Sequence, residues 1–112
     1  MTNLNQDVSK EILANIIDIL ESQQAINLST IPVAKITSIT DYMVICEGRS
    51  IRHIQTLAEE LIKSTRVKVY NKNQIEYTND LWVVVDCGEV IVHIMHQDSR
   101  AHYQLEKLWE PM

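Results

Sequence analysis

The chain has no phenylalanine and only two glycines, two prolines and two cysteines in 112 residues. With so little Gly and Pro there is no linker, low-complexity tract or internal repeat, and residues 1–112 are expected to form a single domain. Cations are also short: 10 Lys and Arg against 15 Asp and Glu leave a formal charge of -5. That balance argues against general affinity for nucleic-acid phosphates, which needs clustered Lys and Arg, and against direct sequence-specific nucleic-acid binding. It suits a basic protein partner, because complementary potentials steer such encounters. No apolar run approaches the roughly 18 residues of a membrane span, and Met1 to Lys10 shows neither a basic n-region nor an apolar h-region. The expectation is a cytoplasmic protein, neither membrane-bound nor secreted.

What is present is ordinary for a small globular domain, with 46% hydrophobic and 22% charged residues. Apolar residues at helical spacing (Val8, Ile12, Ile16, Ile19, Leu20) predict a helix from about Asn5 to Ser22. Ala25 to Ser29 is short and strand-compatible, and Pro32 favours loop or sheet-edge geometry. Tyr42 to Cys46 reads as a buried strand ended by Gly48. Ser50 is a plausible cap for a helix from Ile51 to about Thr65, with Ile54, Leu57, Ala58 and Leu61 on one face. Val67 to Tyr70 reads as another strand, and Asn71 to Asp80 as a loop.

The last third is the densest stretch. Trp82 to Asp86 and Val90 to Val92, joined across Cys87-Gly88-Glu89, predict an antiparallel hairpin. A final helix runs to about Trp109, with Ala101, Leu105, Leu108 and Trp109 as the stripe that docks on the sheet. The order α-β-β-α-β-β-β-α predicts an α/β (α+β) domain with a mixed five-stranded sheet, flanking helices and one parallel crossover through the central helix.

The residues do not assemble a reactive centre. His93 and His96 point to opposite faces if the strand continues between them, and neither HExxH nor a paired CxxC occurs, so no metal is expected. Gly48-Arg49-Ser50 sits between a strand and a helix, where backbone N–H groups can hold phosphate. The carboxylates that such an enzyme needs for a divalent metal do not pair, since Asp86 and Glu89 straddle a turn and Glu59 and Glu60 diverge on a helix. Cys46 and Cys87 lie in apolar runs and read as buried, reduced thiols, although sequence alone does not decide against a disulfide. His93, between Val92 and Ile94, reads as a core or semi-core histidine. Trp82 and Trp109 suit either core plugs or interface anchors. The residues by themselves describe a binding module without a named partner.

Two blocks carry a resemblance. Trp82, Asp86-Cys87-Gly88-Glu89, Val90 with Val92-His93, then Arg100, Tyr103, Leu105-Glu106 and Leu108-Trp109 form one. Ser38 to Ile45, with Gly48, Ser50 and Arg52-His53, forms the other. In this order and spacing they resemble the ribosomal silencing factor, or Iojap-like, family over about residues 8 to 110. The resemblance implies a nucleotidyltransferase-like sheet without the catalytic carboxylates, and a binding protein that is not an enzyme and uses no cofactor. It implies binding to the fourteenth protein of the large ribosomal subunit, with steric blocking of small-subunit joining and repression of translation under nutrient limitation. It also allows a homodimer. The residues assigned to docking on this basis are Trp82, Asp86, His93, Arg100, Tyr103 and Glu106, with Asp86 and Glu106 offering acid to basic side chains. The chain departs from the family at Gln74-Ile75-Glu76-Tyr77, where a Glu-Gly pair is usual, and at Glu47 and Arg49, which flank Gly48. The alternative is a nucleotidyltransferase-like enzyme using the Gly48–Ser50 turn.

Overall fold

The computed structural model describes residues 4–72 and 82–108. Helix α1 (Leu4–Ser22) leads into strand β1 (Ile26–Pro32) and strand β2 (Tyr42–Glu47). Helix α2 (Ile51–Lys63) follows, then the hairpin β3 (Trp82–Asp86) and β4 (Val90–Met95). Two short helices close the described chain, α3 (Gln97–Tyr103) and α4 (Leu105–Leu108). The sheet order is β1-β2-β4-β3, with β2 and β4 parallel and both outer pairs antiparallel. No helix among the described residues is long and apolar enough to cross a membrane.

Local chemistry explains the joints. The Ser50 hydroxyl accepts the His53 N–H at 3.1 Å, satisfying one orphan donor at the start of α2. Gly48 precedes it because a Cβ there would lie 2.7 Å from Ile54 Cγ1 and 2.9 Å from Ile54 N. The hairpin loop is Gly88-Glu89, closed by the Cys87 N–H donating to Val90 O at 2.9 Å. Gly88 takes φ +81, the positive angle that a type II′ turn requires at its first central position.

Ile16 and Leu20 of α1, with Ile54, Leu57, Ala58 and Leu61 of α2, pack on Val44, Cys46, Val83, Val85, Val92 and Ile94 of the sheet. Each fully buried Val, Leu or Ile among them contributes about 1.5–3 kcal/mol. The central strands β2 and β4 are largely buried on both faces and mostly apolar, as suits a parallel pair, with Glu47 and His93 the buried polar side chains among them. Cys46 and Cys87 are both buried and free. Burial pushes each thiol up to about 12, so neither is a nucleophile near neutral pH.

The structure corrects the expected sheet in two respects. Among the described residues it has four strands, not five: Val67 to Tyr70 forms no strand, although Val67 and Val69 bury into the core. The outer edge of β3 is occupied another way. The Tyr70 N–H donates to Asp86 O at 2.8 Å, and the Asn71 side chain then takes the next two positions. Its Nδ2 donates to Val84 O at 2.9 Å and its Oδ1 accepts the Asp86 N–H at 2.9 Å. One side-chain amide takes the place of backbone ladder bonds here, so Val67 to Tyr70 does not extend the sheet. The parallel partner of β2 is consequently β4, reached through α2 and β3.

The second correction concerns the last helix. It breaks at Gln104, which is left-handed with φ 49, so α3 and α4 do not share one stripe. Leu105 is buried, but Ala101 is exposed and Leu108 is 71% exposed. The predicted loop from Asn71 to Asp80 is described only at Asn71 and Lys72, and Trp109 lies outside the described residues. Replacing Asn71 by Ala is expected to lower stability by about 1 kcal/mol, the net worth of the lost bonds. Faster amide exchange at Asp86 in that variant checks the assignment, and unchanged exchange there contradicts it.

Candidate functional site

Strand alternation places Met43, Ile45 and Glu47, then Ile91, His93 and Met95, then Trp82, Val84 and Asp86 on the sheet face opposite α1 and α2. Register aligns them in rows. Ser29, Ile45, His93 and Val84 lie abreast across the sheet, and Glu47, Met95 and Trp82 form the row beside them. Among the described residues, α3 and α4 cover this face. Leu105 seats on Ile45 and Met95, with Ile31 and Trp82 packed around them. Val84, in the middle of β3, remains 38% exposed.

Arg100 holds the cover in place. From α3 its Nη1 donates to Glu47 Oε2 at 3.0 Å and to the Asn27 carbonyl, and its Nη2 to Ser29 Oγ at 3.3 Å. Its Nε and Nη2 grip both oxygens of Glu106 at 3.1 and 3.2 Å. Burial alone would lower the pKa of this guanidinium. The hydrogen bonds and charge of Glu106, with those of Glu47, instead hold it above its ordinary value. Side-chain exposure is 13% for Arg100 and 9% for Glu47, so this is a largely desolvated pair.

A second cluster lies beside it. The Trp82 ring stands 4.9 Å from Tyr103 and 5.8 Å from His93, tilted against both. Trp82 Nε1, which can only donate, reaches His93 Nδ1 at 3.0 Å. His93 is therefore a neutral ring carrying its proton on Nε2. That atom is buried without a partner among the described residues, at a cost of roughly 1–3 kcal/mol. Burial pushes the His93 pKa down to about 4.

The six residues assigned to docking thus fall on one side of the sheet but in three groups. Trp82, His93 and Tyr103 touch, and Arg100 and Glu106 touch each other. Asp86 stands apart at the end of β3, where its Oδ1 accepts the Gly88 N–H at 2.8 Å. His93 is a core residue, as its apolar neighbours suggested. Arg100 is an internal tie, which its polar character on a helix did not suggest. Sequence reasoning missed Glu47 and Val84. Their signal was phase: each is two residues from a neighbour on this face, Ile45 and Trp82.

The other histidines serve locally. His96 caps α3, its Nδ1 accepting the Asp98 N–H at 3.3 Å, and His102 packs edge-on against Tyr103. At the Gly48–Ser50 turn, three N–H groups are already used within the fold. Gly48 donates to Met95 O, Arg49 to His53 Nδ1 at 3.0 Å, and His53 to Ser50 Oγ. The turn is built as a strand-to-helix joint more than as a phosphate cradle.

A sequence profile described as "Ribosomal silencing factor during starvation" matches residues 6–112. The chain belongs to this family. It is 33% identical over 102 residues to the ribosomal silencing factor of Halalkalibacterium halodurans, covering 90% of this chain and 87% of that one. It is 32% identical over 99 residues to the mouse protein named "Mitochondrial assembly of ribosomal large subunit protein 1", covering 84% of this chain and 43% of that one. The crystal structure of a Chromobacterium violaceum protein matches the fold with a TM-score of 0.79 at 29% identity, over 92% of this chain and 89% of that one.

Two outcomes follow from this geometry. Arg100→Ala is expected to cost about 3 kcal/mol in chemical denaturation, because it strands the buried Glu47 carboxylate. The apolar double variant Arg100→Met with Glu47→Met should recover most of that loss, and equal destabilisation by both would contradict the pairing. His93 makes stability depend on pH. An unfolded chain binds a proton near pH 6.5, while the folded ring does so only near 4. The unfolded state holds more protons between these values, so stability falls as pH drops from 6.5 to 4, by on the order of 3 kcal/mol. Denaturation across that range should show a steeper loss for the wild type than for His93→Asn, and parallel profiles would contradict it.

Proposed function

We propose that this protein docks on the large ribosomal subunit through the fourteenth ribosomal protein and blocks small-subunit joining by occupying the surface that the joint needs. The observation that carries the reading is the half-covered sheet face. One side of the sheet is closed by two long helices, while among the described residues the other has a seven-residue and a four-residue helix over it. Trp82, Val84 and Tyr103 form an apolar and aromatic centre there, the composition that anchors protein interfaces. Asp86 and the partly exposed Glu106 lie at its margin, and the net charge of -5 favours approach to a basic ribosomal protein.

Family membership supports a ribosomal role, and the name of the mouse relative refers to the large subunit. In this reading the protein acts in the cytoplasm, without turnover or cofactor, by placing a body at least 24 Å thick against the subunit. Asp86 and Glu106 provide charge-assisted hydrogen bonds to the partner beyond those they make internally. The resulting block lowers translation when nutrients are short.

Co-sedimentation with purified large subunits, followed by a subunit-joining assay, tests this directly. Wild-type protein should pellet with large subunits and inhibit joining at physiological salt. Val84→Lys puts a charge in the centre of the face without disturbing a buried group. It should reduce binding by at least about tenfold, roughly 1.4 kcal/mol, with an unchanged melting temperature. No wild-type binding, or full binding by Val84→Lys, would sink the proposed surface.

A further inference from the structure

His93 occupies the centre of the sheet face at a cost that an apolar residue would avoid. It is 8% exposed and stands in one row with Ile45 and Val84, between Ile91 and Met95 along β4. Leucine or methionine would suit these neighbours and would bring no buried Nε2 donor, but would take the acceptor away from the Trp82 indole. Only one ring nitrogen is used, and it is used for Trp82: Nδ1 accepts the indole N–H at 3.0 Å, while Nε2 has no partner among the described residues. The reason for an imidazole here therefore lies in its bond to Trp82.

Trp82 has much to gain from that bond. It lies on the outer strand β3 and is only partly buried, so burial alone removes less of its side-chain freedom than it does in the core. His93 holds the indole nitrogen from the sheet side, and Tyr103 lies against the ring at 4.9 Å from α3. An aromatic anchor ordered before contact does not lose that freedom on binding, so its contact area contributes more fully to affinity.

We infer that His93 is a positioning residue for docking. Its Nδ1 locks the Trp82 indole in the orientation that presents the ring, beside Tyr103, to the ribosomal partner. This rests on the docking reading above, and it separates two roles: Trp82 makes the contact, and His93 aims it. The requirement is specific. It asks for a hydrogen-bond acceptor at the position of Nδ1 and nothing at Nε2.

Asparagine and glutamine distinguish these positions, because Asn places its side-chain oxygen near the Nδ1 position and Gln reaches one atom further. The experiment measures large-subunit affinity and the indole N–H resonances of the full-length chain in ¹H–¹⁵N spectra, with Trp82→Phe assigning the Trp82 signal. His93→Leu and His93→Gln should move the Trp82 indole signal and weaken binding by about tenfold, the scale of one lost hydrogen bond and one freed side chain. His93→Asn should restore both the signal and the affinity to within about twofold of wild type. Adding His93→Leu to Trp82→Phe should cost no further affinity, since the donor is already gone.

An unmoved indole signal in His93→Leu would show that the hydrogen bond does not hold Trp82. A moved signal with wild-type affinity would show that its orientation does not matter for docking. Either result overturns the inference. A wild-type chain that fails to bind large subunits overturns the docking reading itself, and the indole signals then still decide whether His93 holds Trp82.

Discussion

The contact from Arg100 to Glu47 and the backbone of β1 governs what the second face of the sheet can be. Helices of seven and four residues are too short to persist on their own propensity, so α3 and α4 stay where tertiary contacts put them. Leu105 supplies the apolar part of that contact, and the guanidinium supplies the directional part, with five N–H donors matched to two carboxylates, a hydroxyl and a carbonyl. Because the pair is largely desolvated, either charge alone would be costly, so the helices and the strand ends are fixed together. Tyr103 lies in α3, so its place against Trp82 depends on the same tie.

This arrangement gives the sheet two different faces. Under α1 and α2 it is a closed core of aliphatic side chains with two inert thiols. On the other side the cover given by the described residues stops partway, with Trp82 partly exposed and Val84 and Tyr103 at the surface. A domain of this size has few ways to leave apolar area exposed without losing stability. Here the exposed area is backed by Ile45 and Met95, both fully buried, so the surface is rigid from beneath. Rigidity of that kind suits a protein whose proposed action is to occupy space.

Much of this was legible in the sequence because local rules agreed with the final structure. The hairpin was marked by β-branched runs around a glycine, and α2 by Ser50 and its apolar period. The parallel contribution to the sheet followed from strand-helix-strand order, although its partner was β4 and not Val67–Tyr70. That segment has strand-like composition and buries two valines, yet the side chain of Asn71 claims the strand edge, and no propensity scale contains that competition. The last helix misled for a similar reason. Its spacing supports one stripe only if the helix is continuous, and the left-handed Gln104 turns Leu105 inward while leaving Ala101 and Leu108 outside. Arg100 looked like surface because its two acids, Glu47 and Glu106, come from distant and adjacent chain at once. The residues assigned to docking were found on one side of the sheet, but their division into an aromatic cluster, an ionic tie and a turn cap required coordinates.

The central claim is that the face carrying Val84 meets the fourteenth protein of the large subunit. A photo-reactive side chain placed at Val84, and for comparison at Tyr70 beyond the β3 edge, tests it most directly in the presence of purified large subunits. The account expects a crosslink to that ribosomal protein from position 84 and none to it from position 70. A crosslink from position 70 alone, or from position 84 only to other components, would contradict it.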